Sequence, residues 1–152
     1  MEIQSSAFCF GQSIPQQHTC DGADQSPALN WSDVPKGTKT FALIADDPDA
    51  PSGTWVHWVL FNLPGQTNSL PQGLAKSDSA AGAIQGRNDF GKIGYGGPCP
   101  PPGKAHRYFF KLYALDITLD LKSGATKQDV EQAIQGHVLA QAELMETYQR
   151  KK

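Results

Sequence analysis

Gly94-Tyr-Gly-Gly-Pro-Cys-Pro-Pro-Pro-Gly-Lys-Ala-His-Arg-Tyr-Phe-Phe-Lys-Leu-Tyr-Ala-Leu-Asp116 joins a glycine and proline loop to a segment with the alternation of a β-strand. Prolines 98, 100, 101 and 102 fix φ and carry no N–H, so the loop is stiff and its remaining donors are few. Glycines 94, 96, 97 and 103 let the backbone approach a bulky or anionic group closely. From Ala105 to Leu115, His106, Tyr108, Phe110 and Leu112 fall on one face, and Arg107, Phe109, Lys111 and Tyr113 on the other. A histidine and a tyrosine therefore meet at the rim of an apolar face, beside a preorganised loop. Taken alone, the same residues also read as a tight connection followed by a core histidine bonded to a carbonyl.

The pattern occurs twice, and that tips the reading toward a site. Thr40 to Asp46, Thr-Phe-Ala-Leu-Ile-Ala-Asp, predicts a buried strand with Phe41, Leu43, Ala45 and Asp47 in phase. It runs into Asp46-Asp-Pro-Asp-Ala-Pro-Ser-Gly53, where carboxylates either face water, cap the turn or hold specific groups. Thr54 to Leu63 follows, with Trp55, His57, Val59 and Phe61 expected on one face and Val56, Trp58, Leu60 and Asn62 on the other. Both faces are apolar, which predicts a central strand buried on both sides, and His57 is its only titratable side chain. Packed side by side, the two units would pool Asp47, Asp49, His57, His106 and Tyr108 around one small cavity. Periodicity alone does not establish that contact.

Composition bounds the remaining choices. A chain of 152 residues with no compositional break is expected to form one domain, residues 1–152. The net charge of -2, with no basic run except Arg150-Lys151-Lys152, argues against a nucleic-acid partner. Fifteen glycines and eleven prolines fit a turn-rich β chain better than a helical bundle. The N-terminus lacks a basic segment and an apolar run, so no leader and no integral membrane segment is expected. Cys9, Cys20 and Cys99 are odd in number and lack CxxC spacing, which argues against a disulfide framework or a zinc site. A single Cys9–Cys20 bridge is left open. This cysteine usage fits a reducing compartment and gives a cytoplasmic location as the expectation.

In chain order, residues 2 to 10 are expected to hold a short strand and Gly11 to Pro27 a polar loop. Within that loop His18, Cys20, Asp21 and Asp24 carry metal-ligand atoms, but their spacing matches no closed site, and an Asp-Gly turn is the better reading. Ser26 to Trp31 leads into a short edge strand. Pro64 to Gly82 and Gly86 to Gly91 read as loop and turn, and long irregular segments of this kind line sites or interfaces. Thr126-Lys-Gln-Asp129 predicts a helix start with a capping box, with Val130, Ala133 and Ile134 at helical spacing. Gly136 breaks it, and His137 to Tyr148 is expected to form a second helix, the pair packing as a strut on the β body.

Three chemistries use these atoms. A metal site of two histidines and two carboxylates has no helical spacing or HExxH signature here. A hydrolase with Ser52 as nucleophile lacks the G-x-S-x-G elbow. Recognition of a small anion needs no nucleophile and uses the stiff loop. Two imidazoles, a tyrosine hydroxyl and the N–H groups of Gly96 and Gly97 would donate, and the expected affinity weakens as pH rises through about 6 to 7.

Asp47-Pro-Asp-Ala-Pro51 followed by Trp55-Val-His57-Trp, then Gly97-Pro98, His106-Arg-Tyr108 and Leu-Tyr-Ala-Leu-Asp116, resembles the two signature regions of the phosphatidylethanolamine-binding protein family. The likeness is to its compact bacterial, Raf-kinase-inhibitor-like branch and runs from near residue 3 to near 150. It implies a mainly β fold, an antiparallel β-sandwich with peripheral C-terminal helices. It also implies a pocket lined by Asp47, His57, Gly97, Pro98, His106 and Tyr108, with Trp55 and Asp49 close by and Ala50-Pro51 a candidate cis peptide. The expected ligand is a phosphate-containing small molecule or head group, with no cofactor, no metal and no catalysed reaction. The expected role is regulatory, toward a kinase or protease, and a homodimer through an exposed edge is left open. Val56 stands where animal members carry a second histidine, and Cys99 with its three prolines alters the loop lip.

Overall fold

Alternating apolar positions assemble the chain into two antiparallel sheets, described here from a computed structural model for residues 1–151. The strands are β1 Glu2–Gln4, β2 Leu29–Ser32, β3 Thr40–Asp47, β4 Trp55–Pro64, β5 Ser69–Leu70, β6 Ser79–Ala80, β7 Ala83–Gln85, β8 His106–Leu115 and β9 Val138–Tyr148. A small sheet has the order β1-β2-β5 and a larger one the order β6-β7-β4-β3-β8-β9. The expected mainly β, antiparallel sandwich is what the chain forms. Three differences from the sequence reading are informative. Leu29–Ser32 is the middle strand of the small sheet and not an edge. The segment read as loop from Pro64 to Gly82 contributes two short strands, and a third, Ala83–Gln85, follows it directly. The third difference, at the C-terminal end, is the largest.

His137 to Tyr148 is not a helix. Val138–Tyr148 pairs along β8 from Leu115↔Val138 to His106↔Tyr148. Leu, Ala, Gln, Glu and Met favour helix locally, but the propensity differences are only tenths of a kcal/mol per residue, and a full ladder with a buried face outweighs them. Ala140, Ala142, Leu144 and Tyr148 alternate onto the inner face as a strand requires. Glu146 occupies the same face, and that one charged residue disguises the period of two.

The only α-helix among the described residues is α1, Lys127–Ala133. Its expected capping box is present: the Thr126 side chain accepts from the Asp129 N–H, and the Asp129 carboxylate accepts from the Thr126 N–H. Val130 and Ile134 bury against Ala42, Ile44, Val59 and Phe61 on the outer face of the large sheet. The main core, with Trp31, Phe41, Trp58, Leu60, Phe110 and Leu112, fills the space between the sheets. Among the described residues, no helix is long and apolar enough to cross a membrane.

Two irregularities in the β3–β4 ladder matter for the site. Ala45 pairs with Trp58 but Asp46 pairs with Val56, which leaves His57 as an extra residue. Such a bulge turns consecutive side chains to one side. His57 therefore lies on the inner face with Trp58 and Leu60, while Val56, Val59 and Phe61 face α1. The expected grouping of His57 with Val59 and Phe61 is thus corrected. The second irregularity lies between Phe41 and Leu43, where Asn62 takes a φ of 56° and its side chain ties Leu119 from both amide and carbonyl.

Candidate functional site

A pocket of ≈ 240 Å³ opens where β3 ends and where β4 and β8 begin. β3 supplies Asp47, β4 supplies Trp55 and His57, and β8 supplies His106 and Tyr108. The turn from Ala50 to Ser52 and the loop from Cys99 to Pro101 form its lips, and Phe90 closes one side. Five of the eight residues singled out in the sequence are thus brought together. Asp49, Gly97 and Pro98 are not among the lining residues.

The two imidazoles are fixed through their Nδ1 atoms. His106 Nδ1 lies 2.7 Å from Asp47 Oδ2, and Asp47 Oδ1 accepts from the Asp49 N–H at 2.7 Å. His57 Nδ1 donates to the Gly96 carbonyl at 2.7 Å. Each ring therefore keeps Nε2 free. His57 is almost fully buried, and loss of hydration pushes its pKa below 6.5, a shift that the Gly96 carbonyl and Asp47 oppose only in part. Its ring packs edge-on to Phe90 and Tyr108 at centroid distances of 5.5 and 5.2 Å. Neither the Tyr108 hydroxyl nor the Trp55 indole N–H has a hydrogen-bond partner, and burial pushes the Tyr108 pKa upward.

The glycines act differently from the sequence expectation. Gly96 N–H donates to the His57 carbonyl at 2.9 Å, and Gly97 N–H donates to Asp24 Oδ1 at 2.7 Å. Both donors are spent within the protein, so neither reaches a ligand. Glycine is required for a steric reason: a Cβ on Gly96 would sit 2.6 Å from the Phe90 ring, and one on Gly97 would sit 2.3 Å from the His18 carbonyl. Asp49 is likewise occupied. It accepts from the Arg107 N–H, Nε and Nη2 at 2.9–3.0 Å, and that guanidinium lowers its pKa to about 2. It fastens the acidic turn to β8 from outside the pocket. The Ala50-Pro51 bond is trans, as are all others described.

Cys20 and Cys99 form a disulfide, and Cys9 is free and exposed. The Cys9–Cys20 alternative is thereby corrected. Residues 18–24 and 95–99 are also joined by Cys20 N–H to Pro98 O at 3.1 Å and Tyr95 O–H to His18 O at 2.7 Å. A bridge of this kind persists where thiols are not kept reduced, so cysteine usage no longer argues for a reducing compartment. The same loop explains His18: it is buried, with Nδ1 at 2.8 Å from the Gln25 carbonyl, and is a structural residue. Among the described residues, no three His, Cys, Asp or Glu side chains converge as a metal site would require.

The model of the phosphatidylethanolamine-binding protein family matches residues 4–149. The chain belongs to that family. Among curated relatives, a UPF0098 protein of Aquifex aeolicus is 51% identical over 152 residues, covering 99% of this chain and 89% of the relative. A UPF0098 protein of Methanothermobacter thermautotrophicus is 50% identical and covers 99% of both chains. Among solved structures, E. coli YbcL, described as a member of the mammalian PEBP family, matches with a TM-score of 0.91 and 37% identity over 99% of this chain and 98% of that one. A PEBP homologue from Chlamydia trachomatis matches with a TM-score of 0.90 and 41% identity, over 99% and 97% of the two chains.

Within this PEBP-family frame, residues that the sequence reading passed over shape the pocket. Phe90, read as part of the turn Asn88-Asp-Phe-Gly91 and not assigned to the pocket, walls the cavity because Asp89 Oδ2 accepts from the Val56 N–H and so pins that turn to β4. Asp24 holds the Gly97 N–H, and no local pattern announces a contact across 73 positions. Glu146 lies behind the pocket and carried no signal except as a charged residue in an apparent helix.

Proposed function

We propose that the pocket binds a small anion, the phosphate group of a small molecule or head group, and that the chain is a regulatory binding module. One observation carries this reading. Four polar groups around one small cavity keep an uncommitted hydrogen-bonding position: His57 Nε2, His106 Nε2, Tyr108 Oη and Trp55 Nε1. Three of these are N–H or O–H donors when His106 is protonated, and His57 becomes a fourth on taking up a proton. A volume of ≈ 240 Å³ suits a head group rather than acyl chains. The apolar walls of Trp55, Phe90, Pro100 and Pro101 strengthen each charge-assisted bond inside.

Membership in the family supports a ligand with a phosphate, and the exposed lips at Pro51, Ser52 and Cys99 would present an occupied pocket to a kinase, protease or other protein. The test is isothermal titration with inorganic phosphate and with O-phosphorylethanolamine near pH 6 and near pH 8. The expected result is saturable binding that weakens at the higher pH and is abolished by His106→Ala. Absence of binding at both pH values, or binding that survives His106→Ala, overturns the assignment.

A further inference from the structure

Glu146 is the residue that neither the fold nor the anion site accounts for. It sits on β9 directly opposite Tyr108 of β8, on the inner face, and is 1% exposed. Among the described residues no cation pairs with it, and its Oε2 has no hydrogen-bond partner. The Tyr108 hydroxyl is unpartnered as well. The two side chains line one cavity of ≈ 10 Å³, about the room of a single water, immediately behind the pocket wall formed by His57 and Tyr108. A charged carboxylate in such a place is strongly disfavoured, and burial holds the Glu146 pKa well above the usual carboxylate range.

The other titratable groups around that cavity have charge partners or hydrogen bonds at one atom each. From the loop before Pro98, the Tyr95 O–H donates to His18 O. From β3, Asp46 Oδ2 is paired with Lys111 and Lys127, while its Oδ1 is buried without a partner. From β4, His57 Nδ1 donates to Gly96 O. On β9 itself, the neighbouring Tyr148 O–H donates to Asp21. The Tyr108 hydroxyl is the one unpartnered O–H there, and Glu146 lies directly across the ladder from it, with Asp46 Oδ1 and His57 Nε2 as the other open acceptors.

We propose that Glu146 is the proton-holding floor of the anion pocket: as a neutral acid it leaves the Tyr108 hydroxyl free to donate to the ligand, and as a carboxylate it takes that donor away. This rests on the anion-binding reading and deepens it. A phenol has one proton to give. A protonated carboxyl supplies its own proton to the phenol oxygen, through the small cavity, so the phenolic proton points at the anion. An ionised carboxyl only accepts, so the phenolic proton turns toward Glu146 and an oxygen lone pair faces the pocket. The added negative charge behind the wall opposes the anion further. Binding of a phosphate group is therefore linked to proton uptake at Glu146, which acts as a positioning residue through Tyr108.

The test is titration of inorganic phosphate into wild type, Glu146→Gln and Tyr108→Phe from about pH 5.5 to 8.5. Glutamine keeps the shape and a permanent donor. Phosphate's own titration is common to all three proteins, so the difference between them isolates Glu146. Wild type and Glu146→Gln are expected to agree at the acid end, and wild type to fall behind by up to about tenfold per pH unit above the Glu146 titration point. In a Tyr108→Phe background the effect of Glu146→Gln should shrink to the part due to the buried charge alone. Superimposed profiles of wild type and Glu146→Gln overturn the proposal while leaving the anion site standing. Should wild type bind no phosphate at all, the anion reading fails, and the linkage is read without ligand from the NMR titration of the His57 and Tyr108 rings. An inflection common to both rings that vanishes in Glu146→Gln supports the coupling, and identical titrations in the two proteins overturn it.

Discussion

Asp47 holds His106 across 2.7 Å with one carboxylate oxygen and caps the Asp49 N–H with the other, from a position only 3% exposed. The carboxylate thus orients an imidazole and closes the acidic turn at the same time. Its negative charge is a liability for an anion site only if it is left unpaired.

That pairing fixes the sign of an experiment. Pure charge counting says Asp47→Ala should tighten phosphate binding, because a negative charge is removed. Loss of the clamp says the opposite, since His106 loses its orientation and two half-buried donors lose their acceptor. Both donors are half-buried, and even a part of the roughly 1–3 kcal/mol cost of an unpaired buried donor exceeds a solvent-screened repulsion at the pocket mouth. The expected outcome is at least about tenfold weaker phosphate binding and a loss of about 2–3 kcal/mol in stability. Calorimetric titration and urea unfolding check the two parts.

The Cys20–Cys99 bridge closes a loop of 79 residues and ends on the lip of the pocket. Replacing Cys99 with serine is expected to destabilise the protein by about 2–4 kcal/mol, while Cys9→Ser, at a free exposed position, leaves the urea midpoint unchanged. Phosphate affinity should fall with Cys99→Ser, because Pro100 and Pro101 are no longer fastened to residues 18–24. Identical unfolding of wild type with and without dithiothreitol would contradict the stabilising role.

His57 gives a stability profile whose direction follows from its burial. Its pKa in the folded protein lies below the ordinary 6.5, so between those two values the unfolded chain binds the proton and the folded chain does not. Stability from this group is present above pH 6.5 and is lost as pH falls toward the lowered value. Urea midpoints measured from about pH 7 down to pH 5 should decline, and His57→Gln should remove part of that slope. Glu146 acts in the reverse direction, its raised pKa costing stability as pH rises above the ordinary carboxyl value of 4.5, so Glu146→Gln is expected to flatten the alkaline side.

Much of the architecture was legible in residue patterns. β3, β4 and β8 follow from apolar alternation, and α1 follows from Thr126 and Asp129 at capping spacing. The repeated pattern pooled Asp47, Asp49, His57, His106 and Tyr108, of which all but Asp49 line the pocket, and Trp55 came only with the family resemblance. These features are local: period, cap and turn chemistry act within a few residues, so the sequence carries them directly.

What remained hidden depends on partners distant in sequence. Helix and strand differ little in local free energy for Val138–Tyr148, and the ladder with β8 decides between them. The bulge that turns His57 inward exists only as a mismatch between β3 and β4. Whether the Gly96 and Gly97 N–H groups are free can be answered only by finding the His57 carbonyl and Asp24. The sequence by itself determined β3, β4 and β8, the cap and the residue types of the pocket, because these follow from short-range patterns. Tertiary structure alone decided which donors are left over and placed Glu146 behind Tyr108, because hydrogen-bond accounting and burial are properties of the packed whole.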